Sequence, residues 1–503
     1  MTTDILLTTL NARYMHSAFG LRYLFANLGE LRRRALVLEF TIQQRPIDIA
    51  ENLLKLKAKI IGFSVYIWNV DETSEVIALI RTIEPQVTII VGGPEVSFAQ
   101  DLPAVCEQVD YVITGPGEIS LRKLCEQLLA DERPECNIIS GETVPLDELA
   151  LPYQYYTDED IRNRLIYVEA SRGCPFKCEF CLSSLDKTAM PFELDIFLKE
   201  MDQLYQRGAR NFKFIDRTFN LKVATSVAIL EFFLERIGDG LYLHFEVIPD
   251  ILPDRLKAVL LKFPEHSLQF EIGVQTFDPD IQALISRKQN NEKTCENIRW
   301  LRDNTGAHIH ADLIFGLPGD SLDNFAQSFN RLVALNPQEI QLGILKRLRG
   351  APINRHTETY QLRYNPQAPY NILATRDIDF ATMQRVNRFA RFWDMIGNSG
   401  RFRETLPVIL GDDPFHRFLL LSDTLYDLAG SSWKISLKRL FELVYTALTE
   451  SLEIKPGIAS AALKQDYRNS GQKGRLQLGG PTLAVIAKSG VANKRQRQHR
   501  GVL

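Results

Sequence analysis

The sequence predicts an α/β protein: a doubly wound parallel sheet first, then a barrel-like series of strand–helix units, then a mostly helical region. Three observations predict it. Apolar β-branched runs alternate with amphipathic stretches over the first ~130 residues. The alternation resumes at six places between 165 and 345, and it stops after 356.

Composition narrows the class. The 503 residues are 45% apolar and 24% charged, with a net charge of −3. Such a chain is neither disordered throughout nor built to coat nucleic acid or an anionic membrane. No apolar run approaches the ~20 residues of a membrane helix. The start, MTTDILLTTLNARY, lacks the basic-then-apolar pattern of a secretory signal, so a cytoplasmic protein is expected. Seven cysteines are an odd number and too few for a disulfide framework.

The elements follow in order. DILLTTL (4–10), ALVLEF (35–40), KIIGFSVYIW (59–68), VTIIVGGPE (87–95) and YVITGPGE (111–118) read as buried strands. Helices are expected near 21–31, 47–56 and 72–83. Residues 1–135 thus form a Rossmann-like domain, with its ligand crevice beyond the carboxyl ends of the strands. Residues 136–163, rich in Pro, Tyr and polar side chains, read as a linker. Strands near 165–171, 210–215, 241–247, 267–274, 308–315 and 339–345 make 164–355 a partial (β/α)6 barrel of the TIM type. A full eight-unit barrel takes ~250 residues. Residues 356–463 read as a helical domain carrying Phe380, Phe389, Phe392 and Trp393. Residues 464–503 hold nine Lys/Arg against one Asp and read as a flexible basic tail. No repeat occurs at solenoid periods.

The densest chemistry is Ser171-Arg-Gly-Cys174-Pro-Phe-Lys-Cys178-Glu-Phe-Cys181, just after the first barrel strand. Three thiolates spaced C-x3-C-x2-C can hold three irons of a [4Fe–4S] cluster. Electron-transfer clusters use four, so three leave one iron open to another ligand. Zinc is the competitor, but structural zinc takes four ligands and no His lies nearby to complete the set.

On these residues the stretch 165–350 resembles the radical S-adenosylmethionine (SAM) enzymes. The resemblance implies that the open iron chelates SAM, whose reductive cleavage releases a 5′-deoxyadenosyl radical. Phe180 matches the aromatic before the third cysteine. FKFIDRTFN (212–220) stands where the family contacts the methionine amino group, with Asp216 and Asn220 in place of the common Gly-Gly-Glu. HFEVIPD and FEIGVQTF supply Glu246, Glu271 and Gln275 at later strand ends, and Glu271 suits a ribose hydroxyl pair. Arg287 in LISRK matches an arginine facing the SAM carboxylate, and Ile314 and Gly316 in ADLIFGLPGD match the adenine seat. The ordinary alternatives are surface carboxylates for Glu246 and Glu271, a helix ion pair for Arg287, a helix cap for Asp216 and core packing for Ile314.

In the amino-terminal domain, an NAD site would need G-x-G-x-x-G after the first strand, and LNARYMH follows instead. Gly62-Phe-Ser64-Val-Tyr66, Gly92-Gly93-Pro94-Glu95 and Gly115-Pro-Gly117-Glu118 all close strands. In this order they resemble the cobalamin-binding domain that precedes a radical SAM barrel. The resemblance implies that the nucleotide tail passes these glycines, with Ser64 as a hydrogen-bond partner. Cobalamin domains of the methionine-synthase type carry D-x-H-x-x-G, whose His ligates cobalt. Here Gly20 lies one residue too far from His16, and Tyr14 stands in place of the Asp. The expectation is cobalamin with its own base off and no histidine ligand: water, Tyr14 or nothing below the metal. With LATRDIDFATMQRVNRFARFWD at 373–394, the whole chain resembles a poorly characterised subgroup of the cobalamin-binding radical SAM family.

The resemblance implies three cofactors: a [4Fe–4S] cluster, SAM and cobalamin. It implies hydrogen abstraction from an unactivated carbon and methyl transfer to it. The alternatives are a radical rearrangement or cyclisation with cobalamin as redox partner, an RNA-modifying methylthiotransferase, or a non-catalytic iron–sulfur regulator. The methylthiotransferase would need a second compact cysteine set, unlike the scattered Cys106, Cys125 and Cys136. Expected partners are a small-molecule, lipid or peptide substrate and an electron donor such as flavodoxin or ferredoxin. Nucleic acid is expected at most at the tail. Arg347, Arg349 and Arg355 would meet an anionic substrate or solvent.

Overall fold

The computed structural model describes residues 3–186, 188–238 and 240–479. The chain divides into two compact units, Met1–Gln384 and Arg385–Leu503.

In the first unit, β1 (Ile5–Asn11), β2 (Ala35–Thr41), β3 (Ile60–Ser64), β4 (Thr88–Gly92), β5 (Tyr111–Thr114) and β6 (Ile138–Ser140) form one parallel sheet in the order β2-β1-β3-β4-β5-β6. β1 is buried over its whole length because both faces are covered. Its odd residues Ile5 and Leu7 pack with Ile90 and Ile113 under α1 (Phe19–Ala26) and α4 (Glu118–Leu129). Its even residues Leu6 and Leu10 pack with Ile61, Phe63 and Val91 under α2 (Pro46–Leu54) and α3 (Val70–Ile83). The strand order reverses between β1 and β3, so the crevice opens at their carboxyl ends.

The stretch 136–163 is not a bare linker. It supplies β6, an edge strand too short and exposed to show in the apolar pattern, and then α5 (Asp158–Asn163). Thr157 and Asp160 form a reciprocal capping box that starts α5.

The second sheet begins at β7 (Ile166–Val168). A short antiparallel pair, β8 (Ser171–Arg172) and β9 (Met190–Pro191), brackets the cysteine loop. Then follow α6 (Leu194–Gln206), β10 (Asn211–Phe214), α7 (Val223–Leu234), β11 (Tyr242–Val247), α8 (Asp254–Leu260) and β12 (Leu268–Gln275). After α9 (Pro279–Leu284) and α10 (Asn291–Asn304) come β13 (His308–Phe315), α11 (Leu322–Leu335) and β14 (Glu339–Ile344). The order β14-β13-β12-β11-β10-β7 is sequential and parallel, as an open six-stranded barrel requires. β12 and β13 alternate strictly. Apart from Ile314, their apolar side chains are buried against the helices; Gln269, Glu271, His308, His310 and Asp312 occupy the half-buried opposite face.

The region expected to be helical from 356 starts otherwise. β15 (Arg363–Tyr364) and β16 (Ile372–Ala374) form a small antiparallel pair first. Helix begins only at α12 (Phe380–Ile396), whose residues from Arg385 onward belong to the second unit.

The second unit continues with α13 (Thr405–Leu410), α14 (Pro414–Ala429), α15 (Leu437–Glu450) and α16 (Pro456–Asn469). Its core is aromatic: Phe389 packs on Phe415 and Phe418, and Phe402 stacks on Phe441 at 4.4 Å. The basic tail does not start at 464. Residues 464–469 complete α16, with Asp466 and Tyr467 buried. Asp466 accepts hydrogen bonds from Glu404 N, Thr405 N and Thr405 Oγ1 at 3.0, 2.9 and 2.7 Å, which closes the start of α13. The part of the expected tail from 480 to 503 lies outside the described residues. Among the described residues no helix is long and apolar enough to cross a membrane.

Candidate active site

The loop between β8 and β9 carries Cys174, Cys178 and Cys181, all half-buried and free of disulfides. Burial pushes the Cys174 and Cys178 thiols up, and the charges of the neighbouring cysteines push them further. The three cysteines fall within eight residues of one loop. Among the described residues no three His, Cys, Asp or Glu side chains converge to hold a single metal ion. Three thiolates that each take a different iron need not converge so closely. The loop is anchored from within. Glu179 is buried and accepts from Ser286 Oγ at 2.5 Å and from Arg355 Nη2 and Nε at 2.6 and 2.9 Å; His356 Nε2 lies at 3.0 Å. Arg287 Nη1 lies 3.5 Å from Cys178 Sγ, and its Nη2 donates to Gly273 O. These residues fit a cluster with one iron open.

The strand ends beside this loop divide into clamps and open groups. Asp216 is buried; its carboxylate accepts from Ala170 N and from Ser171 Oγ at 2.6 Å. Burial pushes its carboxyl up to about 7 against those bonds. Asn220 is spent likewise, donating to Ile248 O and Ile251 O and accepting from Ile248 N. Asp216 and Asn220, expected at SAM, thus already have partners within the protein, and their polar atoms tie the strand ends together. Arg217, which sequence reasoning missed, is the open group there. Its guanidinium pairs with Glu246 at 2.8 Å and lies in the field of Cys181.

Glu271 also has protein partners. Burial alone would raise its pKa, but His244 Nε2 at 3.0 Å and Lys213 Nζ at 3.3 Å bring it down to about 2. His310, Asp312, Glu339 and His308 extend this run of polar contacts across β13 and β14. Gln275 sits at a bulge with φ 68°, and its Oε1 is buried without a hydrogen bond. Phe180 and Ile314 are half-buried. Gly316 is closed in: a Cβ there would meet Ile372 Cγ2 at 2.7 Å, so β16 covers the seat expected for adenine.

A cavity of about 790 Å³ lies between the two sheets. One end is an apolar slot between β1, β3, β4, β5 and helices α1 and α4, walled by Leu7, Leu21, Leu24, Ile90, Ile113 and Leu121. The other end is the barrel mouth, with Tyr167, Glu169, Arg172, Ile215 and Arg217. His16, Ser64, Tyr66, Gly92, Gly93, Pro94, Gly115, Gly117 and Glu118 all line it. Gly93 is a cradle that a side chain would fill: at φ +109° its Cβ would stand 2.6 Å from Val65 O. Tyr66 stacks on Trp68 at 4.3 Å beside the slot, an aromatic pair that sequence reasoning half missed. An apolar slot opening onto a glycine floor fits a flat nucleotide base, and the wider mouth fits a corrin.

Two expected cobalamin residues lie elsewhere. Tyr14 is exposed and donates to Glu159 at 2.5 Å, with Arg164 over its ring. Glu95 is buried and pairs with Arg349 at 2.8 Å. Arg349 and Arg347 both reach Asp101, and Arg355 holds Glu179, so none of these three arginines is waiting for an anionic substrate.

Two parallel sheets meeting at their carboxyl ends, a three-cysteine loop and a shared cavity define a two-domain radical enzyme with a corrinoid site. The comparisons with known proteins agree. The B12 binding domain family matches residues 5–125, the radical SAM superfamily matches 168–332, and a protein family of unknown function, DUF4080, matches 358–495. The chain belongs to the cobalamin-dependent radical SAM family, with [4Fe–4S], SAM and cobalamin as its cofactors. It is 24% identical to the cobalamin-dependent radical SAM methyltransferase TokK of Streptomyces tokunonensis over 352 residues, 62% of this chain and 50% of that protein. It is 22% identical to the uncharacterized methyltransferase PH0819 of Pyrococcus horikoshii over 300 residues, 54% of this chain and 64% of that one. The chain thus spans half to two thirds of these relatives. In fold it is similar to the cobalamin-dependent SAM radical enzyme OxsB with aqua-cobalamin bound, at a TM-score of 0.62 and 16% identity, covering 93% of this chain and 81% of that one.

Proposed function

We propose that this enzyme transfers a methyl group to a carbon of a polar small molecule or peptide, taking its electron from a small reduced carrier protein such as flavodoxin or ferredoxin. The observation that carries the reading is the single cavity whose walls come from both sheets. When bound, the cluster and SAM supply a carbon-centred radical, and cobalamin supplies a carrier for a one-carbon group. The chain's own residues do the rest. Cys174, Cys178 and Cys181 hold the cluster, and Glu179 fixes their loop. Arg217 and Arg287 offer cations beside it to a carboxylate ligand. Glycines at 92, 93, 115 and 117 let a nucleotide tail lie against the backbone. Buried ion pairs flank the junction and narrow the access of bulk water to a reactive carbon. The half-buried polar belt of Lys213, His244, Glu271, His310 and Glu339 suits a substrate that hydrogen-bonds, rather than a lipid chain.

The test is anaerobic reconstitution with iron, sulfide and hydroxocobalamin, then addition of methyl-labelled SAM and reductant. Label on the extracted cobalamin, together with S-adenosylhomocysteine, is the expected result. Cobalamin that stays unlabelled while 5′-deoxyadenosine accumulates would refute methyl transfer in favour of a rearrangement.

A further inference from the structure

The loop after β1 holds a histidine at the edge of the corrinoid cavity, and the barrel holds that histidine. His16 is the only imidazole among the described residues lining the cavity. Its backbone bridges to Leu165 in parallel, and the neighbouring Ser17 Oγ donates to Leu165 O at 2.9 Å. Its Nδ1 lies 2.7 Å from the Tyr167 hydroxyl. Its Nε2 makes no hydrogen bond to any described residue. A ring fixed through one nitrogen, with the other left free at a cavity wall, is how metal-ligating histidines are presented.

The sequence argued against this ligand on two grounds, and the structure answers each. The orienting Asp is missing, and Tyr14 in its place is taken up by Glu159. The orienting group is instead Tyr167, 151 residues away on the first barrel strand. Gly20 is one residue late, and the longer loop is secured where Ala18 N donates to Glu39 Oε2 at 2.7 Å. We propose that His16 is the lower axial ligand of cobalt through Nε2, and that Tyr167 is the positioning residue that fixes its ring. With Nε2 on the metal, Nδ1 carries the proton and donates to the Tyr167 oxygen. The barrel then orients the ligand of the neighbouring domain. The other lining groups with donor atoms, Tyr66, Asp186 and Glu118 among them, are oxygen donors and leave a different signature.

The test is EPR of the cobalt(II) form in the full chain. Protein grown on nitrogen-15 is loaded with natural-abundance hydroxocobalamin and reduced. If His16 ligates, the nitrogen splitting of each high-field cobalt line is a triplet in unlabelled protein and a doublet in labelled protein. A triplet that ignores the label assigns the nitrogen to the cofactor's own base and overturns the proposal. So does a spectrum with no nitrogen splitting. His16→Ala is expected to lose the splitting and to recover it with added imidazole. Retained splitting in that variant without imidazole would exclude His16. Tyr167→Phe is expected to bind cobalamin but to divide the signal between ligated and unligated populations; a spectrum identical to wild type removes Tyr167 from the role. Failure of the ligand leaves cobalamin bound and methyl transfer untouched, whereas a chain that takes up no cobalamin overturns both readings.

Discussion

Gly93→Ala isolates the floor of the corrinoid cavity. Gly93 has φ 109° and ψ 173°, a region that only glycine visits freely. Placing alanine there costs about 1–3 kcal/mol in backbone strain. The new methyl would also lie 2.6 Å from Val65 O and 2.9 Å from Val65 N. Both are main-chain atoms in use: Val65 N donates to Gly92 O at 2.8 Å and Val65 O accepts from Glu95 N at 3.3 Å. Neither can rotate away, so overpacking adds about 1–3 kcal/mol. The sum, about 2–6 kcal/mol, falls on the turn that carries Ser64, Gly93 and Pro94 into the cavity. Gly115→Ala is the matched control. It also has a positive φ, 74°, but no atom lies within 4 Å of its Cβ, so only about 1–2 kcal/mol of strain is expected. Urea titration of the apo protein, read by proteolysis of the first unit, gives the stability difference; equilibrium uptake of hydroxocobalamin gives the binding. Gly93→Ala should be the less stable variant, about 2–6 kcal/mol below wild type, and should lose most uptake. Gly115→Ala should stay folded and bind weakly. A Gly93→Ala protein within about 0.5 kcal/mol of wild type, the spread of ordinary surface changes, with normal uptake, would refute the reasoning.

The other expectations are narrower. Cys178→Ala should fall from ~4 irons per chain to near none after anaerobic reconstitution; stoichiometric zinc in the wild type would defeat the cluster assignment. Glu271 titrates near 2 when folded and near ~4.3 when unfolded. Its contribution, at most about 3 kcal/mol, is therefore present above pH ~4.3 and lost as pH falls through about 2. Glu271→Gln should flatten acid unfolding in that window, and an unchanged acid limb would show that Lys213 and His244 do not hold the charge. Asp466→Ala leaves three donors at the start of α13 unpaired and should cost the second unit about 2–4 kcal/mol by thermal melting. Truncation after 463 should destabilise this unit in the same way, whereas truncation after 479 should not; equal melting of the two truncations would count against a structural role for α16.

What the sequence disclosed depended on whether a residue's partners were local. The strands of the two six-stranded sheets were legible, apart from the three-residue β6, because runs such as ILLTTLN and HIHADLIF carry their burial pattern in their own spacing. The cysteine loop was legible because its ligands fall within eight residues. The internal bonds of Asp216 and Asn220 were not legible because most of their partners are backbone groups of other segments, which no side-chain motif reports. Arg217 was adjacent to the quoted motif and passed over, since nothing in FKFIDRTFN distinguishes the inward cation from the clamp beside it. Tyr167 could not have been found from sequence, as its tie to His16 spans two domains. The tail boundary failed on composition: basic residues around 464–475 hide one apolar face, Leu463 and Tyr467, and one buried acid.

The cavity between the sheets is fastened on several sides. Arg22 bridges Glu39 and Asp160 at 2.8 Å each, with Arg164 beside them. Arg172 ties Glu118 at 2.7 Å, and Arg349 ties Glu95 at 2.8 Å. All three clasps join the first sheet's domain to the barrel or to the segments flanking it. The clasps border the space in which a corrinoid would sit, so they limit how far the walls can part as it enters. Its exchange then depends on the opening of ion pairs as well as on its own contacts. Loading is expected to be slow in assembled apo protein, quicker during synthesis or in mild denaturant, and faster for Arg22→Met than for wild type. Protein made without cobalamin would then fill slowly once the vitamin arrives, and salt that weakens the clasps would quicken the filling.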